Sequence, residues 1–469
     1  MPMTGDVVFY KIRFRKKPGA RKGENYPKPY QARWKAGAQV HNRSFATEEL
    51  AENWMTELRQ AARKGELFDA ETGLPESKLR ELRDISWYAH AREYLLERWP
   101  DMAAKTRISA MEALTAVTPA LVREPWSKED RELLREVLGR WAFRLERDEA
   151  GEWRFLAPPP RAAEVLERLQ QASLPVSALK DPQRLGAAVR ACSRLLDGSR
   201  ASADYFSRRR RGFSALLSHA VLKQRLPENP LKKGAELPQE WKPPKTEEEV
   251  DPRAIGNPAR VRQVLTMVTY VGHHQGERFA AWFGCMYYGM MRPEEVTNLR
   301  RSGCELPAEG WGKLTFSRSA PAAGKAWTDS GHVHDDRELK GRGEKASRTV
   351  PIPPELVRLL REHLLKFGSG PDGRVFRSVR DNPVQPSTYW RVWDRTRRLA
   401  LTPEEYEGPL LKRPYDLRHA GVTYRLNSGV PATQVAKWAG HSVEVLQRIY
   451  AQVWTEMDEV WIDRMGDHH

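Results

Sequence analysis

The stretch that decides the fold of the C-terminal part of the chain lies between residues 414 and 450. It contains Pro414-Tyr-Asp-Leu-Arg-His-Ala420, then Val430-Pro-Ala-Thr-Gln-Val-Ala-Lys-Trp-Ala-Gly-His-Ser442, then Arg448-Ile-Tyr450. Pro431 suits the first turn of a helix, and apolar residues recur after it at helical spacing. Gly440 is typical of the residue that ends a helix. The pattern therefore predicts a helix that ends at Gly440, with His441 in the loop and Tyr450 on or near the next helix.

Two upstream segments add basic residues at turns. The apolar run from Phe279 to Met291 predicts a buried helix, and Arg292-Pro-Glu-Glu295 follows it, with a proline suited to the first turn of a new helix. An ion pair between Arg292 and Glu295 is the plain structural interpretation of this box. Further on, residues 339–353 are typical of a glycine-containing β-turn followed by a strand. This turn would place Lys340 or Lys345 on a hairpin.

In order and spacing, these boxes resemble the active site of the tyrosine site-specific recombinases, the phage integrase family. The family pattern is Arg-x-x-Glu, a hairpin Lys, His-x-Leu-Arg-His, Leu-Gly-His-Ser, and a Tyr nine residues after that last His. The matching residues here are Arg292 with Glu295, Lys340, Arg418, His441 and Tyr450. The resemblance covers residues 250–455 and extends more loosely to the rest of the chain.

The resemblance implies that Tyr450 attacks a DNA phosphodiester and forms a 3′-phosphotyrosine. A free phenol is a poor nucleophile at neutral pH, so the site must remove its proton and stabilise charge on the phosphate. Arg292 and Arg418 would bind the non-bridging oxygens, and His441 would hydrogen-bond the same phosphate. Lys340 would protonate the departing 5′ oxygen as general acid. The scheme implies no metal and no cofactor.

Two positions depart from or complicate the family pattern. The first His of the His-x-Leu-Arg-His box is Tyr415 here, and a phenol titrates far from neutrality, so it is a possible contributor but not an equivalent base. Lys340 matches the position of the family's general acid because it lies where the hairpin starts, whereas Lys345 matches it by its distance from the following strand. We favour Lys340. We interpret His419, which follows the second arginine, as supporting structure.

The charge of the chain predicts a polyanionic partner. Its 469 residues include 78 Lys and Arg against 62 Asp and Glu, which gives a formal charge of +16 and a pI near 9.7. The three cysteines are far apart in sequence, which argues against disulfides and a zinc site and favours a reducing compartment. No secretory signal is visible, and the apolar run after Phe279 is too short to cross a bilayer. We expect a cytoplasmic protein that acts on DNA.

The N-terminal region is predicted to be a small basic domain. Residues 7–46 contain eleven Lys or Arg and one acid, with aromatic and β-branched residues between them at strand spacing. Thr47 can cap a helix that carries Leu50, Trp54, Leu58 and Ala62 on one face. We therefore expect three short strands packed on one helix over residues 1–70, binding arm-type DNA sites; the candidate contacts are Arg13, Arg15 and Lys35.

The middle of the chain is predicted to be helical, with helices over 85–99, 128–145, 159–174, 182–196 and from Ser202 onward. The last of these carries four consecutive arginines, Arg208, Arg209, Arg210 and Arg211. They fan around about one helical turn, so some can contact DNA while others form an ordinary solvated face. The proline-rich, acidic segment 236–252 is predicted to be a linker. The predicted domains are thus 1–70, a helical core-binding domain over 71–245, and a catalytic domain over 246–469.

The resulting prediction is an α+β multidomain protein: a small sheet with one helix, a helical domain, and a mainly helical catalytic domain with a small sheet, similar to tyrosine recombinases and type IB topoisomerases. The resemblance implies an integrase that integrates or excises a phage or mobile element, working as a homotetramer on double-stranded DNA core and arm sites. An excision factor and a host DNA-bending protein are possible partners. The alternatives are a non-catalytic DNA-binding regulator, and a chromosome-dimer resolvase or relaxing topoisomerase.

Overall fold

Two units make up the chain in the computed structural model, which describes residues 2–16, 26–123, 126–195, 197–232, 237–244, 250–339 and 347–454. One unit is Met1–Met102 with Ser109–Lys245, and the other is Ala103–Ile108 with Thr246–His469. The further division of the first unit into domains over 1–70 and 71–245 stays a prediction.

A four-stranded sheet and one helix form the N-terminal part of the first unit. The sheet consists of β2 (Val7–Phe9), β3 (Arg13–Phe14), β4 (Tyr30–Ala36) and β5 (Gln39–Phe45), and the helix is α1 (Glu48–Arg63). Outside that sheet, β1 (Met3–Thr4) pairs antiparallel with β6 (Phe68–Asp69). Strand β4 pairs antiparallel with β5 along one edge and with β2 and then β3 along the other. The predicted sheet-plus-helix arrangement is confirmed, but its first strand is interrupted between Phe9 and Arg13.

Helix α1 covers this sheet with a face that is rotated from the predicted one. Thr47 caps the helix as predicted, its hydroxyl accepting a hydrogen bond from the backbone N–H of Leu50. Leu50 itself is 51 % exposed, however, so the prediction that it lies on the core face was wrong. The buried positions are Ala51, Met55, Leu58 and Ala61. The last three belong to one core cluster with residues of β4.

The region from residue 76 to 222 is mostly helical, as predicted. It contains α2 (Glu76–Arg83), α3 (Trp87–Arg98), α4 (Ala104–Val117), α5 (Lys128–Val137), β7 (Leu145–Arg147), β8 (Trp153–Phe155), α6 (Pro160–Ala172), α7 (Pro182–Cys192) and α8 (Ala203–Leu222). The predicted helix over 128–145 was too long. Its apolar pattern continues into a β-hairpin, whose turn is fixed where the Asp148 carboxylate accepts hydrogen bonds from two backbone N–H groups.

Part of the predicted linker is packed rather than extended. Trp241 is buried against α7, so close to Gly186 that a Cβ at that glycine would lie 2.9 Å from the indole ring. One indole therefore anchors this segment to the first unit, and the linker prediction was wrong for residues around Trp241. Short non-α turns complete the described backbone: a π-turn over Leu138–Ala142 and 3₁₀ turns over Thr118–Ala120, Val176–Lys180, Gln239–Trp241, Pro252–Ala254 and Arg301–Gly303.

The second unit is mainly helical with small sheets, as predicted. Its helices are α9 (Pro258–Val268), α10 (Glu277–Tyr288), α11 (Pro293–Thr297), α12 (Pro354–Phe367), α13 (Pro386–Ala400), α14 (Pro403–Glu407), α15 (Asp416–Asn427), α16 (Ala432–Ala439) and α17 (Val443–Trp454). The strands are β9 (Cys304–Glu305), β10 (Gly312–Phe316), β11 (Arg318–Ser319), β12 (Arg337–Glu338) and β13 (Arg348–Ile352). Strands β13, β10 and β9 form one antiparallel sheet in that order, and β11 pairs with β12.

Helix α10 is the centre of this unit's core, which confirms the predicted buried helix. Its Trp282 stacks on Tyr389 with ring centroids 4.6 Å apart. Helix α15 crosses α10 at Gly421, where a Cβ would lie 2.0 Å from the carbonyl oxygen of Tyr287. Only glycine permits this approach, and the approach holds the N-terminal half of α15 against the end of α10.

No helix in the described part of the chain is long and apolar enough to cross a membrane. Within the same residues, no group of three or more His, Cys, Asp or Glu side chains is placed to hold a metal ion. The three cysteines, Cys192, Cys285 and Cys304, are buried free thiols.

Candidate active site

The turn between α10 and α11 positions Arg292. Helix α10 ends at Tyr288 with Gly289 as its C-cap, and Pro293 is the first residue of α11, so Arg292 is the N-cap of α11. The Glu295 carboxylate accepts a hydrogen bond from the Arg292 backbone N–H at 2.7 Å and another from its guanidinium at 3.0 Å. The predicted ion pair is therefore present, and it orients the Arg292 side chain.

A second arginine, which sequence reasoning missed, completes this pair. Arg348 on β13 donates two hydrogen bonds to Glu295, at 3.1 and 2.5 Å, and both side chains are almost fully buried. Burial opposes ionisation of the carboxyl, but Arg348, Arg292 and Arg418 outweigh it and lower the pKa of Glu295 to about 2. The available signal was the alternation along β13, where Arg348 shares the inward face with Val350 and Ile352.

Arg418 lies on α15 and is fully buried beside the end of α16. It donates to the carbonyl oxygen of Met290, to that of Ala439 at 2.6 Å, and to Nε2 of His441 at 2.8 Å. Its Nε–H is buried and has no acceptor among the described residues. An unsatisfied donor on a buried cation costs free energy unless a ligand supplies the acceptor.

Arg292 and Arg418 both donate hydrogen bonds to backbone carbonyls at the C-terminal end of α16. Gly440 ends the helix in the left-handed conformation, with φ +68°, as the sequence predicted. Arg292 donates to the Gly440 carbonyl at 3.1 Å, while Arg418 binds the preceding carbonyl. A Cβ at Gly440 would lie 2.2 Å from a guanidinium nitrogen of Arg348. The helix-end carbonyls thus accept from both cations, in keeping with the negative end of the helix dipole.

His441 follows this turn as a neutral imidazole. Burial, and then the nearby guanidinium groups beginning with Arg418, lower its pKa to about 3. Because Nε2 accepts a hydrogen bond from Arg418, the ring proton of the neutral form lies on Nδ1. That Nδ1 is buried and has no partner among the described residues. His441 and Arg418 therefore hold two N–H donors without acceptors, an arrangement suited to an anion.

Tyr450 reaches the same cluster from α17. Its hydroxyl is 2.9 Å from Nδ1 of His419, and its ring stacks loosely over that of His441, with centroids 6.4 Å apart. Burial raises the pKa of Tyr450, while Arg418 opposes the rise. Tyr450 and Arg418 have no exposed surface in this structure, whereas the Arg292 side chain is 17 % exposed.

Tyr415, at the position where the family pattern has its first His, immediately precedes α15. Its ring meets that of His419 edge to face, with centroids 5.1 Å apart, and the Arg418 guanidinium lies 5.9 Å from the ring centre. The structure thus brings together Arg292, Glu295, Arg418, His441, Tyr450 and Tyr415, and it adds Arg348 and His419. Lys340 and its alternative Lys345 lie outside the described residues.

The candidate DNA-contacting arginines of α8 do not share one environment. Arg209 is buried and donates to the Arg194 carbonyl at 2.6 Å, so its guanidinium binds within its own unit rather than facing DNA. Arg210 is half-buried and lies near the Leu231 carbonyl. Arg208 and Arg211 are exposed, although Arg208 also pairs with Glu112 at 3.2 Å. Contact of these arginines with DNA stays a prediction.

The N-terminal candidates lie on the sheet face opposite α1. Arg13 pairs in register with Gln31, and Lys35 follows at the same parity along β4, whereas Ala32, Trp34 and Ala36 point to the core. Arg15 is exposed, with its guanidinium 5.0 Å from the centre of the Tyr26 ring. These positions suit contacts with a flat or grooved polyanion, and the contacts themselves stay predictions.

Comparisons with known proteins agree with the residues that converge here. The family model described as "Phage integrase family" matches residues 258–457. The "Putative prophage phiRv2 integrase" of Mycobacterium tuberculosis is 26 % identical over 166 residues, which are 35 % of this chain and 38 % of that relative. "Tyrosine recombinase XerC" of Chlorobaculum tepidum is 26 % identical over 199 residues, 40 % of this chain and 52 % of that relative. The chain therefore spans only about two fifths to half of these curated relatives.

A solved structure gives a weaker likeness. The structure of a Tn1549 transposon integrase in complex with transposon right end DNA matches 65 % of this chain and 92 % of that integrase at 16 % identity, with a TM-score of 0.47.

Proposed function

We propose that this chain is a site-specific tyrosine recombinase that cuts and rejoins DNA through a 3′-phosphotyrosine, in keeping with the match of residues 258–457 to the family model described as "Phage integrase family". The observation that carries the proposal is the convergence of Arg292, Arg418, His441 and Tyr450 around the end of α16. Buried N–H groups of Arg418 and His441 lack acceptors there among the residues that the structure describes. A phosphodiester anion supplies acceptor oxygens of the kind that these donors need.

The two arginines bind and polarise the phosphate in this scheme. Negative charge grows on the non-bridging oxygens as the tyrosine oxygen attacks, and donors that are already oriented stabilise it without reorganisation. Glu295 and the helix-end carbonyls hold both guanidinium groups in place before DNA binds. His441, neutral and protonated at Nδ1, donates a hydrogen bond to the same phosphate.

Tyr450 is the nucleophile, and Lys340 is the general acid. The phenolic oxygen bonds to phosphorus, the bond to the 5′ oxygen breaks, and an acid protonates the departing 5′ oxygen. Lys340 takes this role by its position at the start of the hairpin, and Lys345 is the alternative. Since Tyr450 and Arg418 have no exposed surface, α17 must shift before a phosphate reaches them.

The remaining parts of the chain bind DNA. The region 71–245 and the catalytic domain 246–469 grip the core site, with Arg208 and Arg211 as candidate phosphate contacts. The domain over 1–70 binds separate arm sites through the sheet face that carries Arg13 and Lys35. The assembly is a homotetramer on two DNA segments that integrates or excises a phage or mobile element, assisted by an excision factor and a host DNA-bending protein.

The test uses the full chain and a nicked duplex that carries a candidate core site. The nick lets a short 5′ fragment diffuse away after cleavage, which traps the covalent intermediate. We expect an SDS-resistant protein–DNA adduct from the wild type, and none from Tyr450→Phe. The absence of an adduct from the wild type, or an equal one from Tyr450→Phe, would overturn the proposal.

A further inference from the structure

The Tyr450 hydroxyl lies within hydrogen-bond distance of a histidine to which the reaction scheme above assigns no role. It lies 2.9 Å from Nδ1 of His419, a residue that sequence analysis interpreted as structural. Resting on the function proposed above, we propose that His419 is the general base that takes the proton from Tyr450 during cleavage. It would thereby replace the histidine that is absent at position 415.

Geometry explains how this replacement is possible. Tyr415 and His419 are four residues apart, so they point to the same side at the start of α15. The His419 ring lies between two phenols, with centroids 5.1 Å from Tyr415 and 5.7 Å from Tyr450. An imidazole at position 419 therefore occupies the space between the residue at 415 and the nucleophile.

The charge around His419 keeps it in the form that a base requires. Arg413 and Arg418 flank it on its own segment, Tyr415 and Tyr450 contact its ring, and His441 faces it from the turn after α16. Burial, then Arg418 and Arg413, lower the pKa of His419 to about 3, so the imidazole is neutral at pH 7. A neutral ring has one nitrogen with a free lone pair.

Binding of DNA would strengthen this base. A phosphodiester anion held by Arg292 and Arg418 cancels part of the positive field that disfavours protonated His419, which moves its pKa back toward neutrality. The Tyr415 phenol has no comparable basic atom in this range of pH. The phosphate thus prepares the group that must accept the proton.

The proposed step balances in both directions. In cleavage, the Tyr450 oxygen bonds to phosphorus, its proton passes to Nδ1 of His419, and the bond from phosphorus to the 5′ oxygen breaks as the general acid protonates that oxygen. In rejoining, a 5′ hydroxyl gives its proton to the group that served as general acid and its oxygen bonds to phosphorus, while the bond from phosphorus to the Tyr450 oxygen breaks and His419 returns the proton to that oxygen.

His419 is fixed where the reaction takes place. It stands on α15 next to Arg418, and the close approach of Gly421 to Tyr287 holds that helix on α10. The base therefore stays beside the phosphate position even when α17 shifts to admit DNA. A hydrogen bond that only locks Tyr450 in a resting state would instead have to break for cleavage, and the experiment separates these two roles.

The experiment compares wild type, His419→Asn and His419→Ala on the nicked duplex used above. The Asn side-chain oxygen replaces Nδ1 as a hydrogen-bond acceptor but cannot take the proton, so it separates positioning from basicity. We expect both variants to bind the duplex in a gel shift and to form adduct about 10²-fold more slowly than wild type. The wild-type rate should rise with pH through the pKa of the base, and that step should be missing in His419→Asn.

A second substrate isolates nucleophile activation from leaving-group protonation. In a duplex with sulfur in place of the bridging 5′ oxygen, the 5′ thiolate leaves without protonation by a general acid. This substrate should therefore restore the cleavage rate of Lys340→Ala, whereas cleavage by His419→Asn should stay slow. The proposal would be overturned if His419→Asn cleaved the ordinary duplex at the wild-type rate, or if the sulfur substrate restored the rate of His419→Asn. Cleavage by His419→Ala as fast as by wild type would also overturn it, because that result would mean that the hydrogen bond only holds Tyr450 in a resting state. Failure of the proposed function itself would appear as no adduct from wild type.

Discussion

Glu295 is the buried acid between two guanidinium groups, and removing its charge is the perturbation with the clearest expected magnitude. In Glu295→Gln the side chain keeps its shape, while Arg292 and Arg348 lose their shared counter-charge. A carboxyl whose pKa falls from 4.5 to about 2 on folding contributes about 3 kcal/mol at neutral pH. This agrees with the cost of about 3–5 kcal/mol for breaking a buried ion pair from one side.

The assay is hydrogen exchange of the backbone amides of α10 and α15, read by mass spectrometry on the full chain at pH 7. A loss of about 3 kcal/mol corresponds to opening that is favoured by about 10²-fold. Glu294→Gln is the matched control, because Glu294 is the neighbouring acid on α11 and is only half-buried. We expect this control to change exchange little.

The pH dependence of this difference follows from the sign of the pKa shift. The Glu295 pKa is lowered on folding, so its contribution is complete above about pH 4.5 and is lost as pH falls toward 2. The gap between wild type and Glu295→Gln should therefore be constant from neutral pH down to about 4.5 and shrink below it. Equal exchange in Glu295→Gln and Glu294→Gln at pH 7 would refute the reasoning.

Three further predictions concern the turn, the base and the DNA contacts. Gly440→Ala and Gly368→Ala both place a side chain at positive φ and should both destabilise the chain by about 1–3 kcal/mol, but only Gly440→Ala should abolish adduct formation, because only there does the Cβ collide with the site. Wild type should lose about 1 kcal/mol more unfolding free energy than His419→Asn between about pH 6.5 and pH 5.5, as measured by thermal unfolding. In this pH range His419 binds a proton in the unfolded chain but not in the folded chain. Arg211→Ala should lower the slope of log binding constant against log salt by about 1 without loss of stability, whereas Arg209→Ala should destabilise its own unit.

Local signals made much of the C-terminal site predictable. The helix that ends at Gly440, the loop position of His441 and the cap position of Arg292 all depend on neighbouring residues, so the sequence pattern determines them. The buried helix α10 was predictable for the same reason, since a long apolar run has few alternatives to burial.

Contacts between distant segments were not predictable in this way. Arg348 and Glu295 are 53 residues apart, and nothing in a single sequence pairs them, although alternation along β13 places Arg348 on the inner face. His419 and Tyr450 are 31 residues apart on two helices, so their hydrogen bond depends on how α15 and α17 pack. Arg209 shows the same limit, because a run of four arginines does not reveal which one turns inward.

The measurement that tests the central claim most directly is the identity of the residue that carries DNA. The full chain would be reacted with the nicked duplex, digested with nuclease and trypsin, and the peptides sequenced by mass spectrometry. We predict a nucleotide attached through its 3′ phosphate to Tyr450, on the peptide that begins at Ile449. A nucleotide on any other residue, or one attached through a 5′ phosphate, would contradict it.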